Sequence, residues 1–111
     1  MNGGILTIDE IRAIVAPIAE KYHIPAVFLF GSYAKGNATP QSDIDLIVDT
    51  TGTQLHGLFG LGQLYDDLET ALGKKIDLIT AGSLTQNAVM ESDLRFRETV
   101  IKERVNIYAA A

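Results

Sequence analysis

Cysteine is absent from the 111 residues, and histidine occurs only at positions 23 and 56. Disulfides, thiolate nucleophiles and thiolate metal sites are therefore excluded. Two histidines so far apart also argue against a histidine-rich zinc centre. Positive charge is scarce, with nine Lys and Arg against fourteen Asp and Glu and a net charge of −5. A stable complex with naked nucleic acid rests on a basic footprint, which this chain lacks, so direct nucleic-acid binding is not expected. The acidity suits a cation or a basic protein partner. No apolar run approaches the ~18 residues that would cross a bilayer. Residues 1–24 carry Asp9, Glu10 and Glu20 and lack the apolar core of a signal peptide, so the expected compartment is the cytoplasm and no membrane contact is expected. There is no repeat, no low-complexity tract and no linker.

At 47% hydrophobic and 21% charged residues, the composition is that of an ordinary globule. The length fits one domain over 1–111. Such a chain has room for a catalytic centre but little further surface for reading a substrate, so a partner is expected to supply it. Self-association is permitted but not required.

Thr7-Ile8-Asp9-Glu10 reads as a capping box, in which Thr7 caps a helix and Glu10 reaches back. Apolar residues at Ile8, Ile11, Ile14 or Val15, Ile18 and Tyr22 continue it at helical spacing. Pro17 predicts a kink near Ala13–Pro17. Ala26–Phe30 is a short apolar run rich in β-formers, hence a buried strand. Residues 31–41 are polar: a loop with one helical turn at its start. Asp43–Asp49 is a second strand. Leu58, Leu61, Leu64 or Tyr65, Leu68 and Leu72 mark a second helix, weakened at its start by Gly57, Gly60 and Gly62 and closed by Gly73. Lys75–Thr80 is a third strand. The chain from Ser83 reads as mainly helical, and Val105–Tyr108 as β-prone. The order α-β-β-α-β-α predicts an α/β (α+β) layer fold, a small mixed β-sheet flanked by helices.

Three aspartates carry the chemistry. Asp43 and Asp45, two apart on a strand, project from one face while Ile44 and Leu46 face the other. Asp77 sits inside the third strand between Ile76 and Leu78. Strands disfavour aspartate, and a bare buried charge costs several kcal/mol. Three such charges brought together would raise one another's pKa. A divalent cation resolves that conflict, and carboxylate oxygens are the ligands Mg²⁺ prefers. Gly31-Ser32, directly after the first strand, would turn the chain with free backbone N–H groups toward an anion, and the Ser32 hydroxyl adds a donor. No GxxxxGK[ST] loop is present, and Gly57, Gly60 and Gly62 form no dinucleotide fingerprint. A phosphate cradle beside three carboxylates suggests two-metal phosphoryl or nucleotidyl transfer.

Gly31-Ser32, ten residues, then Asp43-Ile44-Asp45 resembles the GSx10DxD signature of the polymerase-β-like nucleotidyltransferase superfamily, and Asp77 matches its third carboxylate. The blocks FLFGSYAKG, SDIDLIVD and GKKIDLIT make residues 8–108 similar to the minimal nucleotidyltransferase group, with its MntA-type antitoxins of HEPN/MNT toxin–antitoxin pairs. The resemblance implies two Mg²⁺ ions held by Asp43, Asp45 and Asp77, ATP as substrate, and transfer of AMP. In the antitoxin branch it implies a tyrosine of a cognate HEPN-domain ribonuclease toxin as acceptor. Lys35 stands where family members often carry Arg, and reads either as a weaker phosphate contact or as an exposed lysine. Ser42 reads as a cap of the second strand or as a substrate contact. Lys74 and Lys75 read as solvated or as triphosphate contacts, Asp66, Asp67 and Glu69 as a wet helix face, and Tyr33 as lying near the nucleotide or as a surface or partner-facing residue. Two rival readings stay open. One is a non-catalytic antitoxin that neutralises its partner by occlusion. The other is a small-molecule nucleotidyltransferase, which would ordinarily carry a further helical domain.

Overall fold

A computed structural model describes residues 5–53, 55, 57–80 and 102–110. Helix α1 spans Ile8–Lys21. Its capping box forms as expected: the Thr7 hydroxyl accepts from the Glu10 amide at 3.0 Å, and the Glu10 carboxylate accepts from the Thr7 amide at 2.8 Å. The helix runs through Pro17 rather than ending there. Pro17 removes the amide that would bond the Ala13 carbonyl, and Ala13 lies on the exposed side of the helix.

Strand β1 (Ala26–Phe30) leads straight into a short helix α2 (Gly31–Lys35), followed by β2 (Ile44–Asp49). Helix α3 (Gly57–Leu72) follows, then β3 (Ile76–Thr80) and β4 (Val105–Ala109). Gly73, at φ +69°, ends α3 with its amide on the Glu69 carbonyl at 2.9 Å. The glycines at the start of α3 therefore do not prevent the helix from beginning at Gly57. The β-prone tail is a true strand. The expected helix from Ser83 falls mostly outside the described residues, of which only 102 and 103 are helical.

The sheet has the order β3-β2-β1-β4. β1 pairs antiparallel with β2 and with β4, whereas β2 and β3 are parallel. A parallel pair needs a crossover, and α3 supplies it. The mixed α/β architecture expected from the sequence is thus the observed one.

One face of the sheet is the main core. Ile11, Val15 and Ala19 of α1 and Leu64, Leu68 and Leu72 of α3 pack on Val27 and Leu29, on Ile44, Leu46 and Val48, and on Ile76 and Ile107. Burial of each large aliphatic side chain there stabilises the fold by roughly 1.5–3 kcal/mol. The opposite face carries a smaller apolar group, with Ile47 surrounded by Phe28, Phe30 and Ile79. Alternation along β2 therefore sends its aspartates to the face that α1 and α3 do not cover.

Candidate active site

The β2–β3 register sets Asp45 directly opposite Asp77. Paired residues on neighbouring strands project to the same face, so these two carboxylates stand side by side. Asp43 lies two residues earlier, just ahead of β2, and is exposed, as is Asp77. Asp45 is half-buried, and its carboxyl is pushed up to about 6, first by burial and then by the charges of Asp77 and Asp43. Ile44 and Leu46, which alternate with these aspartates, are fully buried against the helices and hold the strand in place.

The β1–β2 register places Phe30 opposite Asp45, and the next residue is Gly31. There the chain leaves the strand at φ +73° and enters α2. A side chain at Gly31 would overlap the Asp45 carboxylate, with its Cβ 3.2 Å from Cγ as well as on Oδ2. Glycine is required twice over, by conformation and by contact. The bend and the carboxylates are therefore one surface: the backbone at Gly31 lies against the carboxylate it is expected to share a substrate with. Ser32 follows, half-buried, its carbonyl accepting the Asn37 amide at 3.0 Å.

The outlying residues have structural partners. Lys35 is ion-paired with Glu103 at 3.4 Å, both side chains being about half exposed, which ties α2 to the segment ahead of β4. Ser42 closes the turn before β2: its hydroxyl accepts the Thr39 amide at 2.9 Å and its own amide donates to the Thr39 carbonyl at 2.9 Å. Lys74, expected to be solvated, donates to the Pro40 carbonyl at 3.0 Å and pins that turn to the start of β3. Tyr33, read as near the nucleotide or on the surface, is instead buried in the main core at 4% exposure. Asp67, read as part of a wet face, joins α3 to α1: Tyr22 and Lys21 donate to its Oδ2 at 2.5 and 3.1 Å.

Sequence reasoning gave Tyr65 no role beyond an apolar anchor of α3. In the structure its hydroxyl donates to the Ile76 carbonyl at 3.2 Å, one residue from Asp77. The signal available in the sequence was only its position three residues before Leu68 on the buried side of α3; the strand it reaches is set by tertiary packing.

Among the described residues, no three His, Cys, Asp or Glu side chains are gathered into a ready-made metal cluster. The charges of Asp77 and Asp43 nevertheless both act on Asp45. The donor chemistry of the three fits Mg²⁺: hard carboxylate oxygens, with the Asp45 carboxyl raised to about 6 first by burial and then by its negative neighbours, a cost that a bound cation would relieve. No described helix is long and apolar enough to cross a membrane.

The family described as polymerase beta, nucleotidyltransferase matches residues 13–110. A protein adenylyltransferase, MntA, of Thermococcus cleftensis is 32% identical over 84 residues, covering 72% of this chain and 83% of that one. Among solved structures, a toxin–antitoxin complex with AMP-PNP superposes with a TM-score of 0.67 at 19% identity, over 89% of this chain and 73% of that one. A tri-AMPylated Shewanella oneidensis HEPN toxin in complex with an MNT antitoxin gives 0.62 at 16% identity, over 94% and 74%. At such identities the two complexes establish the fold.

Proposed function

The chain belongs to the polymerase beta nucleotidyltransferase family, and from that premise we propose that it transfers AMP from ATP to a tyrosine hydroxyl of a partner HEPN-domain ribonuclease toxin, acting as the antitoxin of the pair in the cytoplasm. The observation that carries the reading is the register: Asp45 faces Asp77 across parallel strands, and Gly31 lies against Asp45. The similarity to a protein adenylyltransferase supports a protein acceptor. The fold shared with AMP-PNP-bound and AMPylated toxin–antitoxin complexes supports ATP and a HEPN partner.

In this proposal Asp43 and Asp45 would hold two Mg²⁺ ions and Asp77 would complete the site on the acceptor side. The chemistry such ions would supply there is a lowered pKa for the acceptor hydroxyl and charge compensation for the departing pyrophosphate. The chain's own residues do the rest. Gly31 lets the bend lie directly against the Asp45 carboxylate, so that a triphosphate on the bend would meet the carboxylate face, and Ser32 offers its hydroxyl and amide to a phosphate oxygen. The acceptor oxygen attacks the α-phosphorus as the bond to the β,γ-pyrophosphate breaks. Asp77, exposed at the edge of the face, orients the attacking hydroxyl and favours loss of its proton. The partner brings the acceptor tyrosine, consistent with the small surface this chain has to spare. In the proposal Lys35 and Ser42 contribute phosphate contacts beside Ser32 as well as supporting α2 and the turn before β2.

The test is transfer of label from α-³²P-ATP to the purified partner, with the partner's mass read in parallel. Label and a gain of one or more adenylate groups are expected, requiring a divalent cation. The Asp43→Asn, Asp45→Asn double variant should lose transfer by a factor of at least ~10³ while remaining folded. Unchanged transfer in that variant would rule out the mechanism. Tight association without label would favour neutralisation by occlusion.

A further inference from the structure

We infer that Tyr65 is a positioning residue that fixes the outer strand of the sheet, and with it Asp77, in register with Asp45. The inference rests on the proposed reading only in taking Asp77 as part of the cation-binding face.

Among the described residues β3 is the outermost strand, paired with β2 alone. The Lys75 carbonyl is turned toward β2, where it accepts the Ile44 amide at 3.1 Å. Successive carbonyls of a strand point to opposite sides, so the Ile76 carbonyl faces the free edge. An unpaired edge carbonyl leaves the strand free to shift or to pair elsewhere. Tyr65 removes that freedom. Its ring packs against the main core, and its hydroxyl reaches around the strand to the Ile76 carbonyl at 3.2 Å. Ile76 is itself buried at 3% exposure. The strand is thus gripped one residue before Asp77 by its apolar side chain and by its outward carbonyl. The phenol also lies in the field of the site: its pKa is raised first by burial, then by Glu69, and then by Asp43 and Asp77. A tie at this place matters more for the carboxylate than for the fold, because the core contacts of β3 survive without it.

Tyr65→Phe keeps the ring and removes the hydroxyl. The experiment is Mn²⁺ titration of the full chain, followed by water-proton relaxation with a non-hydrolysable ATP analogue present, with thermal unfolding measured on the same samples. Loss of the hydroxyl should weaken Mn²⁺ binding about three- to tenfold while Tm falls by no more than a few degrees and the chain stays folded. Asp77→Asn should weaken it at least as much. The double variant should be little worse than Asp77→Asn alone, since both changes act through one carboxylate. Unaltered Mn²⁺ affinity in Tyr65→Phe alongside a clear loss in Asp77→Asn would overturn the inference and leave the proposed function standing. Fully additive losses would also overturn it. A Tyr65→Phe chain that no longer folds would do the same, by making the hydroxyl a structural requirement. Unchanged affinity in Asp77→Asn would instead remove Asp77 from the proposed site.

Discussion

Gly31 shows how a single position can be fixed by two independent demands. Its φ of +73° lies in the region that costs other residues roughly 1–2 kcal/mol, and the Asp45 carboxylate occupies the space a side chain would need. Gly31→Ala is therefore expected to be worse than a conformational penalty alone. We predict destabilisation of about 2 kcal/mol or more in chemical unfolding. Transfer activity should fall further than stability, because the displaced group is Asp45 itself. The sequence made Gly31-Ser32 visible only through its distance from Asp43 and Asp45; a Gly-Ser pair standing alone would read as a tight turn. Tyr33 teaches the opposite lesson. One residue beyond Ser32, it invited a role at the nucleotide, yet the first turn of α2 rotates it into the core. A five-residue helix is too short for periodicity to say which side faces in.

At the scale of elements, the contact between α1 and α3 depends on a polar lock. Asp67 accepts from both Tyr22 and Lys21, which holds its carboxyl below the usual range, while burial and the Asp67 contact push the Tyr22 phenol up to about 12. The signs follow. The Asp67 contribution is present above the ordinary carboxylate pKa and is lost as pH falls through the lowered value. The Tyr22 contribution is present below about 10 and is lost as pH rises through about 12. Tyr22→Phe should lower Tm by a few degrees at neutral pH and remove the part of the alkaline destabilisation that comes from this phenol, read from thermal melts across the alkaline range. None of this was legible in the sequence, where Asp66, Asp67 and Glu69 look alike. Which of three neighbouring acids meets a partner 45 residues away depends on how the helices cross. The elements themselves were largely legible, because capping, apolar runs and Gly73 are local signals.

The whole molecule divides its two sheet faces between folding and chemistry. One face is covered by α1 and α3 and holds most of the aliphatic core; the other presents the aspartates beside Phe28, Phe30, Ile47 and Ile79. Carboxylates placed for substrate are a burden on the unliganded fold. Asp45, raised from 3.8 to about 6, has a contribution that is present below about 4 and is lost as pH rises through about 6. In a chelator, Asp45→Asn should therefore be more stable than the unaltered protein at neutral pH. The difference should grow between about pH 4 and 6 and level off above, in urea unfolding. Millimolar Mg²⁺ should stabilise the unaltered protein at neutral pH more than near pH 5, and Asp45→Asn little at either. Greater stability in the absence of function is the expected mark of a site held against its own repulsion.

The amino-acid sequence by itself determined the described strands and the two long helices, the alternation that puts Asp43 and Asp45 opposite Ile44 and Leu46, and the spacing from Gly31-Ser32 to the aspartates. These are short-range properties, set by backbone sterics and by a period of two along a strand. Only the tertiary structure decided that β3 lies parallel to β2 with Asp77 level with Asp45, that β4 closes the sheet beside β1, and that Tyr65 holds the outer edge. Strand order and register depend on how α3 packs across the sheet, and no local pattern in the chain encodes which edge a crossover will return to.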